Sequence, residues 1–131
     1  MIVRSLRETV GTEREVRGPD WISRRLILAR EKAGFSVNDT LVRAGAELKM
    51  WYANHVEAVY VLEGTGEVVD DETGQRHPLE PGVLYLLDGH EHHTLRTHTA
   101  FRALCVFDPP LTGRETHDEN GTFPLLPEED A

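Results

Sequence analysis

The run EAVYVLEGTGEVVDDETGQRHPLEPGVLYLL, residues 57–87, decides the fold class. Its apolar and β-branched residues come in short pieces, Ala58 to Leu62, Gly66 to Asp70, Arg76 to Leu79 and Val83 to Leu87, sized for strands and too short for helices. Gly64-Thr65-Gly66 and Asp71-Glu72-Thr73-Gly74 separate the first three pieces, and glycine takes the positive φ that tight connections need, so two successive hairpins are expected. Pro81-Gly82 introduces the fourth piece, because proline lacks a ladder donor and suits a turn better than a strand interior. The same punctuation extends outward to candidate strands Arg25 to Ala29, Ser36 to Val42, Lys49 to Tyr52, His93 to Arg96 and Phe101 to Phe107. No segment keeps a helical period. The fold class is therefore all-β, a double-sheet barrel or jelly roll.

At 131 residues the chain fits one domain, residues 1–131, able to bury roughly two-thirds of its unfolded surface. Residues 1–23 are expected to supply a first strand and a covering loop, anchored by Ile2-Val3 and Trp21-Ile22. The barrel spans 24–107, and the Gly- and Pro-bearing polar segment 108–131 is irregular and placed to act as a lid. A composition of 39% hydrophobic and 28% charged residues is that of a soluble globular protein. The formal net charge of −9, with scattered Lys and Arg, excludes nucleic-acid binding through a general basic surface. The single cysteine, Cys105, rules out an intrachain disulfide, and the start MIVRSLRETV lacks the apolar core of a secretory signal, so a cytoplasmic location is expected. No apolar stretch approaches the roughly 18 residues that span a bilayer.

The central stretch can be laid on the two motifs of the cupins. Gly45, Glu57 and Gly64 fall at the spacings of the first motif's glycine, glutamate and closing glycine, while Trp51 and Ala53 stand where its two histidines would be. Pro81-Gly82 supplies the second motif's turn, and Tyr85 takes the third histidine's position. A three-histidine metal site is thereby excluded. Glu57, Tyr85 and nearby His93 remain as another set. Residues 57, 59 and 61 share one face of their strand and 83, 85 and 87 share one face of theirs, so a carboxylate and a phenol can both point inward. Two oxygens and an imidazole suit a divalent first-row ion such as iron(II), with zinc and manganese behind it. Each residue also has an ordinary reading: a solitary strand Glu is usually solvated, and a solitary Tyr usually packs in the core with its hydroxyl at the rim. The cluster Asp88-Gly89-His90-Glu91-His92-His93 can send at most one histidine inward alongside Tyr85.

The start MIVRSL, the segment Trp21-x-Ser23-x-Arg25, Trp51-Tyr52-x-Asn54-His55-x-Glu57-Ala58-Val59, Pro81-Gly82-x-x-Tyr85 and above all Cys105 to Glu115, with His117-Asp118-Glu119, closely resemble the ectoine synthase family. The resemblance covers nearly the whole chain. It implies a cupin barrel, usually a homodimer, that uses iron(II) to cyclise N-γ-acetyl-L-2,4-diaminobutyrate to the compatible solute ectoine with loss of water. The family's metal ligands fall on Glu57, Tyr85 and His93, and its substrate-lining residues on Trp21, Arg25, Asn38, Thr40, Tyr52, Phe107, Glu115 and His117. Of these, Tyr52, Glu115 and His117 are the expected catalytic groups. Arg24, beside Arg25, is a second candidate for the substrate carboxylate. Two rivals stand next to this reading: another metal-dependent cupin enzyme, such as a dioxygenase or isomerase, and a non-enzymatic cupin that binds a small molecule.

Overall fold

Strand alternation organises the molecule: along Phe101–Asp108 every second residue is buried, so Phe101, Ala103, Cys105 and Phe107 face the core while their neighbours are half-buried or exposed. The protein is described here as a computed structural model covering residues 1–119 and 121–124. Its strands are β1 (Glu15–Arg17), β2 (Trp21–Ile27), β3 (Ser36–Val42), β4 (Glu47–Trp51), β5 (Val56–Glu63), β6 (Gly66–Asp70), β7 (Arg76–Leu79), β8 (Leu84–Leu87), β9 (His92–Thr97) and β10 (Phe101–Asp108). They form a six-stranded sheet in the order β1-β2-β3-β10-β5-β8 and a four-stranded sheet in the order β4-β9-β6-β7. Every pairing recorded is antiparallel. The two sheets close on a core that includes Val42, Val61, Leu79, Leu95, Phe101 and Phe107. This is the expected double-sheet β-barrel. Among the described residues no helix is long and apolar enough to cross a membrane.

Three of the expected strands, Ser36–Val42, Gly66–Asp70 and Arg76–Leu79, have the expected bounds. Other expectations need correction. The first of the two hairpins does not form, because β5 and β6 lie in different sheets and Gly64–Gly66 is a crossover between them. Its glycines answer to close backbone approach as well as to turning: a side chain at Gly64 (φ +90°) would meet the Ala100 carbonyl, and one at Gly66 would meet the carbonyl of Arg96. The second hairpin, β6–β7, is present. The strand expected to start at Arg25 begins at Trp21, so the sheet reaches into the segment set aside as a covering loop, and β1 adds an edge to it. Ile2 and Val3 are not anchors; they are 63% and 85% exposed.

Arg24 cannot hold a substrate carboxylate, because its guanidinium is already committed. Its Nη2 lies 2.6 Å from Asp39 Oδ1, and Arg102 Nη2 lies 2.6 Å from Asp39 Oδ2. Arg24 and Asp39 are register partners on β2 and β3, so the pair follows from sheet geometry. Burial alone would raise the Asp39 pKa, but hydrogen bonds and charge from Arg102 and Arg24 outweigh it and hold the carboxylate below its ordinary 3.8. A carboxylate depressed in the folded state contributes stability above its unfolded pKa, and this contribution fades as pH falls through the lower folded value. Asp39→Asn should therefore cost on the order of 3 kcal/mol in urea unfolding at pH 7, since it leaves buried Arg24 without a carboxylate partner and Arg102 with Glu63 alone. The deficit should shrink below about pH 4; a deficit equal at pH 7 and pH 3 would contradict the assignment.

Candidate functional site

Register places the polar residues of the large sheet in rows. One row runs Arg25, Asn38, Cys105, Val59, Tyr85 across β2, β3, β10, β5 and β8; the next runs Ser36, Phe107, Glu57, Leu87. A third holds Ser23, Thr40, Ala103 and Val61. Alternation turns these rows toward the interior: Glu57, Val59 and Val61 are 5%, 3% and 0% exposed, while Leu84 and Leu86, flanking Tyr85, face outward.

The rows converge on a cavity of about 60 Å³, room for only about four waters. Trp21, Asn38, Thr40, Tyr52, Glu57, Tyr85, Phe107 and His117 all line it. So eight of the eleven residues singled out from sequence share one chamber. The other three, Arg25, Glu115 and His93, do not line it.

Arg25 stands one layer back and is fully buried. Its Nε donates to Ser23 Oγ at 3.2 Å and its Nη2 to the Glu115 carbonyl at 2.7 Å, which leaves Nη1 without a hydrogen-bond partner. Burial lowers its pKa to about 10, with Glu115 opposing the shift, so the guanidinium remains charged at neutral pH. The Glu115 carboxylate accepts from Thr112 N at 2.7 Å, Thr112 Oγ1 at 3.0 Å and Gly113 N at 3.0 Å. Three donors from its own loop hold the carboxylate, and its Oε1 lies 3.8 Å from Arg25 Nη1 as a buried ion pair.

The segment after β10 lies across the barrel. The Leu111 carbonyl accepts from Ala29 N at 2.7 Å, Trp51 N donates to the Gly121 carbonyl at 3.0 Å, and Asn54 Nδ2 donates to the Phe123 carbonyl at 3.0 Å. This brings His117 into the chamber wall, where it stacks on Phe123 at 4.4 Å and meets Trp21 edge-on at 5.3 Å. His117 Nε2 shares a 2.7 Å hydrogen bond with the Tyr52 hydroxyl. Burial, then the charges of Arg25 and His93, lower the His117 pKa to about 4, so its imidazole is neutral at physiological pH. Burial raises Tyr52 well above 10, so it keeps its proton.

Glu57 is a buried carboxyl whose pKa burial pushes up to about 8, with the Cys105 thiol as its hydrogen-bond neighbour. Tyr85 is half-buried, and burial followed by Glu57 raises its phenol well above 10. Of the histidine cluster, His90 and His92 are exposed and His93 is 1% exposed. His93 Nδ1 lies 3.0 Å from the Glu91 carbonyl, which can only accept, so Nδ1 carries the proton and Nε2 presents a lone pair. That Nε2 is buried with no partner. A metal-binding imidazole is held in this same way, with its far nitrogen anchored to a carbonyl. Among the described residues no three His, Cys, Asp or Glu side chains form a metal cage, so a site here requires the Tyr85 phenol.

Four contributors went unassigned from sequence. Cys105 and Ser23 carry the family resemblance without an assigned site role, Ser23 lies outside the expected strand, and Phe123 lies in the stretch expected to be irregular. His55 is 1% exposed with an unpartnered Nδ1 and packs edge-on against Phe107 and Phe123. Its nearness to Glu57 in the sequence was the available signal.

The family model described as ectoine synthase matches residues 1–127. An L-ectoine synthase of Streptomyces anulatus is 56% identical over 131 residues, covering 98% of this chain and 99% of the relative. The crystal structure of ectoine synthase from P. lautus superposes with a TM-score of 0.87 at 50% identity, covering 99% of this chain and 94% of that one. A cupin_2 domain of an XRE family transcriptional regulator from Enterobacter cloacae is 20% identical with a TM-score of 0.58, covering 70% and 98%, and shares the fold alone. In sequence over nearly its full length and in the shape of its cupin barrel, the chain belongs to the ectoine synthase family.

Proposed function

We propose that the chain condenses N-γ-acetyl-L-2,4-diaminobutyrate with itself to form ectoine, releasing water, as a hydro-lyase of compatible-solute biosynthesis. The observation that carries this reading is the small chamber gathering Trp21, Asn38, Thr40, Tyr52, Phe107 and His117 beside Glu57 and Tyr85. A dioxygenase or isomerase would use similar ligands, and a binding cupin would need no reacting groups, but full-length relatives at this identity favour the synthase.

In the reaction the α-amine nitrogen attacks the acetamide carbon of the same molecule, a C–N bond closes the ring, and the former amide oxygen leaves as water. The chain must curl its substrate, accept a proton from nitrogen and return one to oxygen. Trp21 and Phe107 form aromatic walls against which a flexible chain folds, and pre-ordering an intramolecular attack can remove several kcal/mol of barrier. Arg25, one layer behind the chamber with Nη1 3.8 Å from Glu115 Oε1, lends positive charge toward a substrate carboxylate, while the buried Oδ1 of Asn38 accepts from an amine. The Tyr52–His117 pair is neutral and hydrogen-bonded, so it can take a proton at Nε2 and give one from the phenol. The polar segment after β10, expected over 108–131, would act as the lid that keeps out bulk water, and its residues His117 and Phe123 line the chamber.

Glu57, Tyr85 and His93 would hold the metal ion, iron(II) first, then zinc or manganese. Their chemistry fits: the His93 lone pair lacks a partner, and a buried carboxyl and phenol gain when a cation takes their lone pairs. When bound, the ion supplies Lewis acidity toward an oxygen at its open positions. A cytoplasmic location and a homodimer belong to the same reading, and exposed Tyr60 and Leu84, register partners on β5 and edge strand β8, offer apolar surface for a second copy.

Protein incubated anaerobically with iron(II) and the acetylated diamino acid should form ectoine, detected by proton NMR; no ectoine would refute the assignment. Glu57→Ala should fold yet neither retain iron nor turn over, and undiminished turnover would remove Glu57 from the site. Tyr52→Phe should lower kcat by about 100-fold. Because folding disfavours protonated His117, its contribution to stability is complete above pH 6.5 and fades as pH falls toward 4. Thermal unfolding of metal-free His117→Asn should therefore show a weaker rise in Tm between pH 4 and 6.5, with His55 and His93 supplying the remainder. An unchanged rise would place His117 outside the buried site.

A further inference from the structure

His93 does not open onto the chamber. It lines a separate cleft of about 120 Å³ together with Asp70, His77, Glu91 and Leu86, and Tyr85 is the one residue common to both walls. The cleft lies where β8 of the large sheet meets β6, β7 and β9 of the small one. Register makes this placement a consequence of the fold: Asp70 is the partner of His93 across β6 and β9, and His77 is the partner of Val68 across β6 and β7. From rim to floor the donors run from exposed His77, through half-buried Asp70 and Glu91, to a nitrogen of His93 that is buried and unpartnered.

We infer that this cleft, leading past His77, Asp70 and Glu91 to His93 Nε2, is the path by which a divalent cation reaches its site, distinct from the chamber that takes the organic substrate. The inference rests on the metal site proposed above. A hydrated cation sheds water reluctantly and moves where carboxylates and imidazoles replace that water stepwise, and a mouth with two acidic residues raises its local concentration. The chamber offers the opposite surroundings. Val42, Val59, Leu95, Phe101 and Phe107 line it, and buried Arg25, beyond its wall, repels a second positive charge. Metal therefore exchanges through the side of the barrel while the chamber is filled, with Tyr85 as the partition between the two.

The test is the rate of iron(II) uptake by metal-free protein, mixed anaerobically and quenched with a chelator at set times. In the double variant Asp70→Asn/Glu91→Gln each amide retains the oxygen that now accepts from Glu72 N, Thr73 N or Gly89 N, so the turns persist. Uptake by this variant should be about tenfold slower at low ionic strength, with the difference fading in salt, while its final iron content equals that of the wild type. His77→Lys at the rim should slow uptake in the same direction. Saturating ectoine should leave wild-type uptake within about twofold of its rate without ectoine, on the same steering argument. Wild-type rates in both variants, or arrest of uptake by ectoine, would overturn the path. A wild-type protein that binds no iron at equilibrium would instead overturn the metal assignment beneath it.

Discussion

Among the described residues, four buried side-chain atoms lack hydrogen-bond partners: Arg25 Nη1, Asn38 Oδ1, His55 Nδ1 and His93 Nε2. Leaving such a group dry and unpaired costs about 1–3 kcal/mol each. A barrel of this size could hold apolar residues at those positions and be more stable. It carries four instead, on residues of the large sheet, the β4–β5 turn and β9. Under the function proposed above, a ligand that partners such groups recovers that cost as affinity.

The large sheet is what makes the concentration of polar groups tolerable. Its rows set polar side chains beside one another, as Arg25, Asn38 and Cys105 stand in register, with the apolar Val59, Val61, Ala103 and Phe107 in the same and adjoining rows. On the other face of the same strands Arg24, Asp39, Arg102 and Glu63 form an ion network of two arginines and two carboxylates. One face of β3 thus lines the chamber through Asn38 while the next residue contributes stability through Asp39. The segment beyond β10 completes the enclosure, because His117 and Phe123 reach the chamber wall while the Glu115 carboxylate is occupied in fixing the loop that carries them.

Much of this was legible in the sequence. The β-branched pieces between glycines marked β3, β6 and β7, and alternation alone put Glu57 and Tyr85 on inward faces. Local signals failed where tertiary structure decided. Gly64-Thr65-Gly66 carries the same chemistry whether it joins paired strands or crosses between sheets, and only the later position of β10 makes it a crossover. The strand was legible only from Arg25 because the polar Ser23 and Arg24 before it rarely sit in a strand buried on both faces, yet Ser23, Arg24 and Arg25 are all buried here, Arg24 by pairing with Asp39. Glu115 and His117 are two residues apart, and that Glu115 bonds to its own loop while His117 bonds to Tyr52 depends on backbone positions that sequence does not reveal. His93 was distinguished from its neighbours by resemblance, and the structure adds the reason, a strand register that buries it opposite Met50 and Asp70.

The central claim is that a carboxyl, a phenol and an imidazole enclosed by the barrel take up one metal ion. The most direct measurement is the visible absorption of iron-loaded protein after oxidation to the ferric state, since a phenolate bound to ferric iron gives a charge-transfer band that carboxylates and imidazoles do not. The account predicts such a band in the wild type, retained in Tyr52→Phe and lost in Tyr85→Phe. An iron-loaded protein without the band, or a band that survives loss of Tyr85, would contradict it.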